Sequence, residues 1–377
     1  VPLTVASSFL GLDEAAIGFS IFAITSVVAS LIVAAPTTTA LGPKRALCAG
    51  MLLLSIFPGG LSAALLLQGS WAQRPCWITA CISGGLATGV VWVAQGVYFS
   101  AAATCLATTG ELEARETATA NLAARFSVVY LTGELLAKFG FSALQACGLA
   151  PWMVVGLYSV CTLAPALPLE WWSQPLATPE ASRGALQKTP CQRLLSTMLL
   201  WPVLELWLLS PVNILFGLSA GFMNNYVNVT CAVPKLGGSS AGWLGAVTVV
   251  AAALGTPLAN SLSTASHDGK GVALTVGAAC FLVAPVALWE TGRCNDWASW
   301  LVVLLYVFQG FGRSVYESTN RAVFADFFSG EDADPAFANL MMQFNVANAI
   351  SNILQTNANH RVLAMVMAPF AAAAPLG

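Results

Sequence analysis

Apolar residues run along this chain in long unbroken blocks, not in the two-residue alternation of a half-buried strand. Blocks of about 18–25 residues are long enough for a helix to cross the hydrocarbon of a bilayer. A transmembrane barrel would show alternating segments of about ten residues instead. The pattern predicts eleven helices: Ala15–Leu41, Ala46–Gln68, Trp77–Ala107, Leu122–Cys147, Trp152–Leu169, Leu195–Ala220, Ala241–Leu262, Gly271–Trp289, Trp300–Val323, Ala336–Gln355 and Val362–Leu376. Tryptophans stand near many of these ends, among them Trp71, Trp77, Trp152, Trp171, Trp172, Trp289, Trp297 and Trp300. Indole rings settle at membrane interfaces, so their placement agrees with the spans. The longest polar interval, Glu170–Arg193, divides five helices from six. It predicts an N-terminal helical half over 1–169, a central loop over 170–194 and a C-terminal helical half over 195–377.

Composition sharpens this picture. Of 377 residues, 57% are hydrophobic and 8% charged, against about 25% charged in soluble domains. So few charges cannot cover a soluble surface of this size, which makes the chain a multi-pass integral membrane protein with the lipid bilayer as its first partner. Lys+Arg 15 and Asp+Glu 17 nearly cancel. There is no basic stripe, which argues against nucleic acid. Two histidines and scattered cysteines offer no metal site, and no motif calls for a cofactor. The sequence has no HExxH and no paired intramembrane aspartates, so an enzyme is not expected. Cys76, Cys147, Cys231 and Cys294 fall at helix ends or in loops. A disulfide among them and free thiols acting as small hydrophobes are both open readings.

Orientation follows from the basic residues. With Glu170–Arg193 in the cytoplasm, that side holds Lys44, Arg45, Arg115, Arg125, Arg183, Lys188, Arg193, Lys270 and Arg321. The opposite side holds only Arg74, Lys235, Arg293 and Arg361. Cytoplasmic loops carry the excess of Lys and Arg, so this orientation is preferred. The sequon Asn228-Val229-Thr230 lands on the non-cytoplasmic side, making Asn228 a candidate glycosylation site.

Two cytoplasmic turns, Leu41-Gly42-Pro43-Lys44-Arg45 and His267-Asp268-Gly269-Lys270-Gly271, occupy equivalent places in the two halves. Both resemble degenerate forms of the basic, glycine-containing turns of major facilitators. The stretch from Gly89 to Tyr98, with Trp92, then Gln95-Gly96, then Tyr98, resembles the fourth-helix signature of the uncoordinated-ninety-three-like (ion-channel regulatory protein) family. The stretch from Gly310 to Asn320, with a glycine-rich start and a polar end, resembles that family's tenth helix. The resemblance implies an all-α membrane protein, a major-facilitator-like bundle with eleven visible transmembrane helices of an expected twelve. The first helix would precede Val1, and Val1–Leu10 could be its tail. The resemblance further implies a secondary transporter or potassium-channel regulator with a polar central cavity for an unknown small solute or ion. The alternative it implies is a non-transporting structural or chaperone-like subunit bound to other integral membrane proteins.

Ionisable groups inside spans cost roughly 2.5–3.5 kcal/mol each on insertion scales, so they are functional candidates by default. Arg313 and Glu317 lie one turn apart, with Gln309 a turn before, Asn320 continuing the stripe and Tyr316 beside it. They form either a self-neutralising packing pair or one wall of the cavity. Trp92, Gln95 and Tyr98 recur at three-residue spacing and could form another wall, or could simply pack. These eight residues are the candidate cavity and substrate groups. Glu134 and Lys138 repeat the i, i+4 arrangement, read first as a structural pair. Glu205 has no basic partner on its own helix and is either protonatable or snorkelling. Asn224, Asn225 and Asn228 are expected where a helix ends. Asn345, Asn348, Asn352 and Gln355 share one face and are expected to glue neighbouring helices. Gly85-x-x-x-Gly89 and Gly217-x-x-x-Gly221 predict close helix approach.

Overall fold

The computed structural model describes residues 2–107, 113–173, 190–265, 268–291, 294, 296–328, 333–357 and 360–374. Every regular element among them is helical. Seven helical stretches are long and apolar enough to cross a membrane: Leu12–Val33, Ala40–Leu66, Gln73–Gln95, Pro151–Trp172, Leu204–Leu236, Ser240–Ser263 and Gly269–Trp289. Arg361–Ala373 is a shorter apolar helix. The helices Ser299–Val315 and Ala333–Asn357 fall outside that set. Gln309 and Arg313 in the first, and a run of amides in the second, lower their apolar character. The difference from eleven lies at these two helices, at Glu113–Ala146, which also falls outside the set, and at Arg361–Ala373, which is short rather than polar.

The chain divides into two compact units. One combines 24–133 with 152–196. The other combines 1–23, 134–151 and 197–377. The long helix Glu113–Ala146 thus begins in the first unit and ends in the second.

In the first unit, Ala34–Leu66 lies along Gln73–Ala107. The LGPKR turn sits at the start of the second part of Ala34–Leu66, where Gly42 takes φ 75°. A side chain there would meet its own backbone, so the turn uses glycine and then a proline that cannot continue the preceding hydrogen-bond ladder. Beside the turn, the Lys44 ammonium donates to the Glu170 carbonyl, and Arg45 stands 3.8 Å from the Glu170 carboxylate. Hydroxyls tie neighbouring helices: Ser83 Oγ donates to the Leu53 carbonyl at 2.8 Å, and Ser159 Oγ to that of Ser55 at 2.6 Å. Within the interval Glu170–Arg193, residues 174–189 lie outside the described residues, including Arg183 and Lys188. So does His267 of the second basic turn.

The second unit is built around Leu204–Gly221, which runs on without a break through a wide π-helical stretch, Phe222–Ala232, to Val233–Leu236. The helix expected to end at Ala220 therefore extends about four turns further, until Gly237 at φ 80° closes it. Asn224, Asn225 and Asn228 read as a polar helix end, yet they sit inside the helix, and the amides of Asn225 and Asn228 turn toward the protein. The N-terminal helix Pro2–Leu10 receives that of Asn228, whose Nδ2 donates to Ser7 Oγ at 2.7 Å and Ser8 Oγ at 2.9 Å. Asn228 is 1% exposed. This corrects the glycosylation reading, because a buried amide already engaged by two hydroxyls cannot present its nitrogen to a glycan-transferring enzyme. Cys231 and Cys294 form a disulfide, which resolves the cysteine question left open by spacing.

Small residues let the unit's helices touch. A Cβ on Gly217 would strike the Phe344 carbonyl and Ala347, and one on Gly221 would strike Ser351. The Gly217-x-x-x-Gly221 pattern thus marks the contact between Leu204–Gly221 and Ala333–Asn357. Gly89 plays the same part in the first unit against Ala29 and Ser30.

Candidate functional site: a four-charge cluster

Two helices bring their charges together in the second unit. Glu134 and Lys138 come from Glu113–Ala146, one turn apart, and pair at 2.7 Å. Arg313 lies in the last turn of Ser299–Val315, and Glu317 in the π-helical stretch Tyr316–Asn320. Arg313 Nε donates to Glu317 Oε1 at 2.8 Å. The remaining edge of the same guanidinium donates to both oxygens of Glu134, at 3.0 and 3.1 Å. A two-pronged arginine–carboxylate bond of this kind is strong and directional. Side-chain exposures of 13% for Arg313, 14% for Lys138, 18% for Glu134 and 34% for Glu317 place the cluster largely out of contact with its surroundings. Two cations face two anions, so the burial leaves no net charge. Lys138 Nζ also reaches the Gly245 carbonyl at 3.4 Å.

The Ser240–Thr264 helix makes room for this arrangement. A Cβ on Gly242 would collide with the Lys138 carbonyl and Ser142, and one on Gly245 would crowd the Lys138 stem. Further along, Gly255 lies against Ser314 and Phe311, while Gly310 lies against Ala251 and the Thr248 carbonyl. One helix with small residues on its contact surfaces thereby packs against both charged helices.

A second polar layer lies deeper in the unit. Asn320 Nδ2 donates to Asn213 Oδ1, Asn213 Nδ2 to Gln343 Oε1, and Gln343 Nε2 to Ser210 Oγ, each at 2.7 Å. Next to it Tyr316, 2% exposed, stacks on Phe216 with ring centres 4.1 Å apart, and Phe216 stacks on Phe344 at 5.0 Å. Gln309 is buried and accepts a hydrogen bond from Ser219. The stripe read from the sequence as Gln309, Arg313, Tyr316, Glu317 and Asn320 is thus divided. Arg313 and Glu317 enter the charge cluster, while the other three belong to the amide and aromatic layers. Wide π turns of this kind are frequent at functional sites.

The remaining candidates belong to the first unit. Trp92 is 44% exposed and meets the Tyr130 ring edge-on at 6.0 Å. Gln95 is half-buried. Tyr98 packs beside Ala46, Leu47 and Ala94. Glu205 is exposed in the first turn of its helix. The amide stripe on Ala333–Asn357 behaves differently from expectation. Asn345, Asn352 and Gln355 donate to carbonyls one turn back on their own helix. The bonds between helices are made instead by Asn339, whose Nδ2 donates to the Thr197 carbonyl, by Gln343, and by Ser351, which donates to the Leu218 carbonyl. Sequence reasoning passed over Asn213, Asn339 and Gln343. Asn213 was detectable as a lone amide within an apolar helix, and Asn339 and Gln343 by their one-turn spacing.

No protein-family model and no curated protein sequence matches this chain. Solved structures do. A point mutant of the nucleoside transporter NupG superposes with a TM-score of 0.69 at 13% identity, covering 99% of this chain and 93% of that one. A D-xylose-proton symporter gives a TM-score of 0.63 at 14% identity, covering 99% and 95%. NupG itself gives 0.64 at 12% identity, covering 99% and 92%. The chain therefore has the fold of the major facilitator transporters and is a multi-pass integral membrane protein.

Proposed function

We propose that this protein is a secondary transporter working by alternating access across eleven spans, with its halves joined by the Glu170–Arg193 loop. The observation that carries this reading is a buried, charge-balanced cluster of Glu134, Lys138, Arg313 and Glu317 inside a transporter fold. Lipid-facing surfaces have no use for such groups, and solute pathways do. Gln309, Tyr316 and Asn320 in one unit, and Trp92, Gln95 and Tyr98 in the other, are the candidate groups for contact with a small solute or ion. The Cys231–Cys294 disulfide supports the proposed orientation. Both cysteines fall on the side assigned as non-cytoplasmic, where disulfides persist.

Purified full-length chain in proteoliposomes, tested with labelled D-xylose, labelled uridine and rubidium ion, checks the proposal. Saturable uptake that disappears in Arg313→Ala while the protein remains folded supports it. No uptake of any probe, together with stable co-purification of another membrane protein, overturns it. That outcome would favour the reading suggested by Trp92, Gln95-Gly96, Tyr98 and the Gly310–Asn320 stretch, in which an uncoordinated-ninety-three-like protein regulates a potassium channel or attends another membrane protein. Orientation has its own test: Ser182→Cys reacting only from the non-cytoplasmic face would sink it.

A further inference from the structure

A groove of about 570 Å³ runs between the Gly269–Thr291 and His360–Ala373 helices of the second unit. Leu282, Pro285, Val286 and Trp289 line it from the first helix, and Ala364, Met365 and Ala368 from the second. The first set is spaced i, i+3, i+4, i+7, the pattern of one helix face. Arg361 completes the same pattern with the second set, one turn before Ala364 and Met365. Arg361 is exposed, and its Nε donates to the Trp289 carbonyl at 3.0 Å. That bond holds the guanidinium at the end of the groove marked by Trp289.

The two ends of the groove differ in chemistry. Leu282 lies seven residues from Trp289, and Ala368 seven from Arg361, about 10 Å along each helix. One leaflet offers about 15 Å of hydrocarbon, so the groove fits within a single leaflet. Its cation and indole then stand at the interface, with the apolar length beneath them. Arg361 also lies in the first turn of its helix, where the dipole adds to the positive charge instead of offsetting it. All exposed spans are bathed in lipid, but a convex helix surface selects no particular molecule. A concave apolar slot that ends at a fixed guanidinium does, because a guanidinium matches the geometry of a phosphate and the slot admits a hydrocarbon chain. We propose that this groove is a phospholipid-binding site, with the phosphate against Arg361 and one acyl chain between the two helices. The site goes beyond the transport reading and does not depend on it.

The test places the full chain in vesicles of digalactosyldiacylglycerol, a bilayer lipid without phosphate. A trace of phosphatidylglycerol carrying a photoactivatable diazirine in one acyl chain is added, and labelled residues are identified by mass spectrometry. A digalactosyldiacylglycerol with the same diazirine chain serves as the second probe. Met365 in the groove is compared with Leu157, which is exposed on the Pro151–Trp172 span. The phosphatidylglycerol probe should label Met365 about tenfold more than Leu157, as a hydrogen bond to a charged group implies, and the galactolipid probe should label the two alike. Arg361→Gln should abolish the preference, and Arg361→Lys, which keeps the charge, should retain most of it. Ala368→Phe fills the groove from an exposed position without touching Arg361 and should abolish it too. Equal labelling of Met365 and Leu157 by the phospholipid, or a preference that survives Arg361→Gln, overturns the proposal. So does a preference lost equally in Arg361→Gln and Arg361→Lys, because the role of Arg361 would then be confined to its bond with Trp289. Protection of Met365 from both probes would mean that a second copy of the chain covers the groove, and would overturn it as well.

Discussion

Two spans of equal apolar character have very different surroundings. In Leu204–Leu236, 72% of the most apolar window is buried inside the protein, and in Pro151–Trp172 only 17%. Hydropathy does not separate them, because lipid is as apolar as a protein interior. What separates them is the kind of polar and small residue each carries. The buried span holds Ser210, Asn213, Gly217, Ser219, Gly221, Asn225 and Asn228, each of which meets a neighbouring helix or lies buried. The exposed span instead shows Met153, Leu157, Val160 and Leu167 to its surroundings. In a bilayer, amides and glycines mark the interior and large aliphatic side chains mark the outside.

That contrast can be broken first at the charge cluster. Arg313→Ala leaves Glu317 without its partner in a largely buried setting and should cost roughly 3–5 kcal/mol. Arg313→Ala with Glu317→Ala should cost less than the single change, as thermal unfolding in lipid nanodiscs would show. Equal losses would mean that Glu317 is solvated and does not belong to the interior. Removing the Cys231–Cys294 bond by serine substitution at both positions should cost about 2–4 kcal/mol, with the parent migrating differently under reducing and non-reducing electrophoresis. A smaller loss is expected at the amide chain. Asn213→Leu deprives Asn320 and Gln343 of their shared partner and should cost about 1–2 kcal/mol. Val160→Ala, on the exposed span, should stay within about 0.5 kcal/mol. If the two prove equal, burial in the protein is not what gives the amide its role. The last effect has the opposite sign. A Cβ added at Gly133 meets nothing, so Gly133→Ala should raise the unfolding temperature slightly, by up to about 1 kcal/mol of helix propensity.

The seven long apolar helices among the described residues were legible because a bilayer imposes length and apolarity on a span, and the chain cannot hide either. The Leu41–Arg45 turn was legible for a similar reason, since glycine followed by proline has few conformations to choose from. Local pairs were legible too: Glu134 with Lys138 and Arg313 with Glu317 both follow from helical spacing. Their union was not. Glu134 and Arg313 are far apart in sequence, no periodicity connects them, and each already had a sufficient partner nearby. The Asn345–Gln355 stripe shows a second limit. Spacing fixes which face an amide occupies, but not whether it reaches across to another helix or back to its own carbonyls, because both satisfy it. Asn224, Asn225 and Asn228 show a third. Polar composition resembles a helix end until a partner, here Pro2–Leu10 for Asn228, accepts the amide inside the protein.

The Cys231–Cys294 bond also bears on how the molecule is made. It encloses the Ser240–Thr264 and Gly269–Thr291 helices as a covalent loop. Both cysteines precede Ser299–Val315, Ala333–Asn357 and His360–Ala373 in the chain, so an oxidising compartment can close this loop without waiting for those helices to pack. Ser299–Val315, bearing Arg313, would then arrive at a hairpin whose ends are already tied. Insertion errors that put Cys231 and Cys294 on opposite faces of the membrane could not form the bond. An unpaired thiol at Cys231 or Cys294 is therefore the chemical mark of a misthreaded chain.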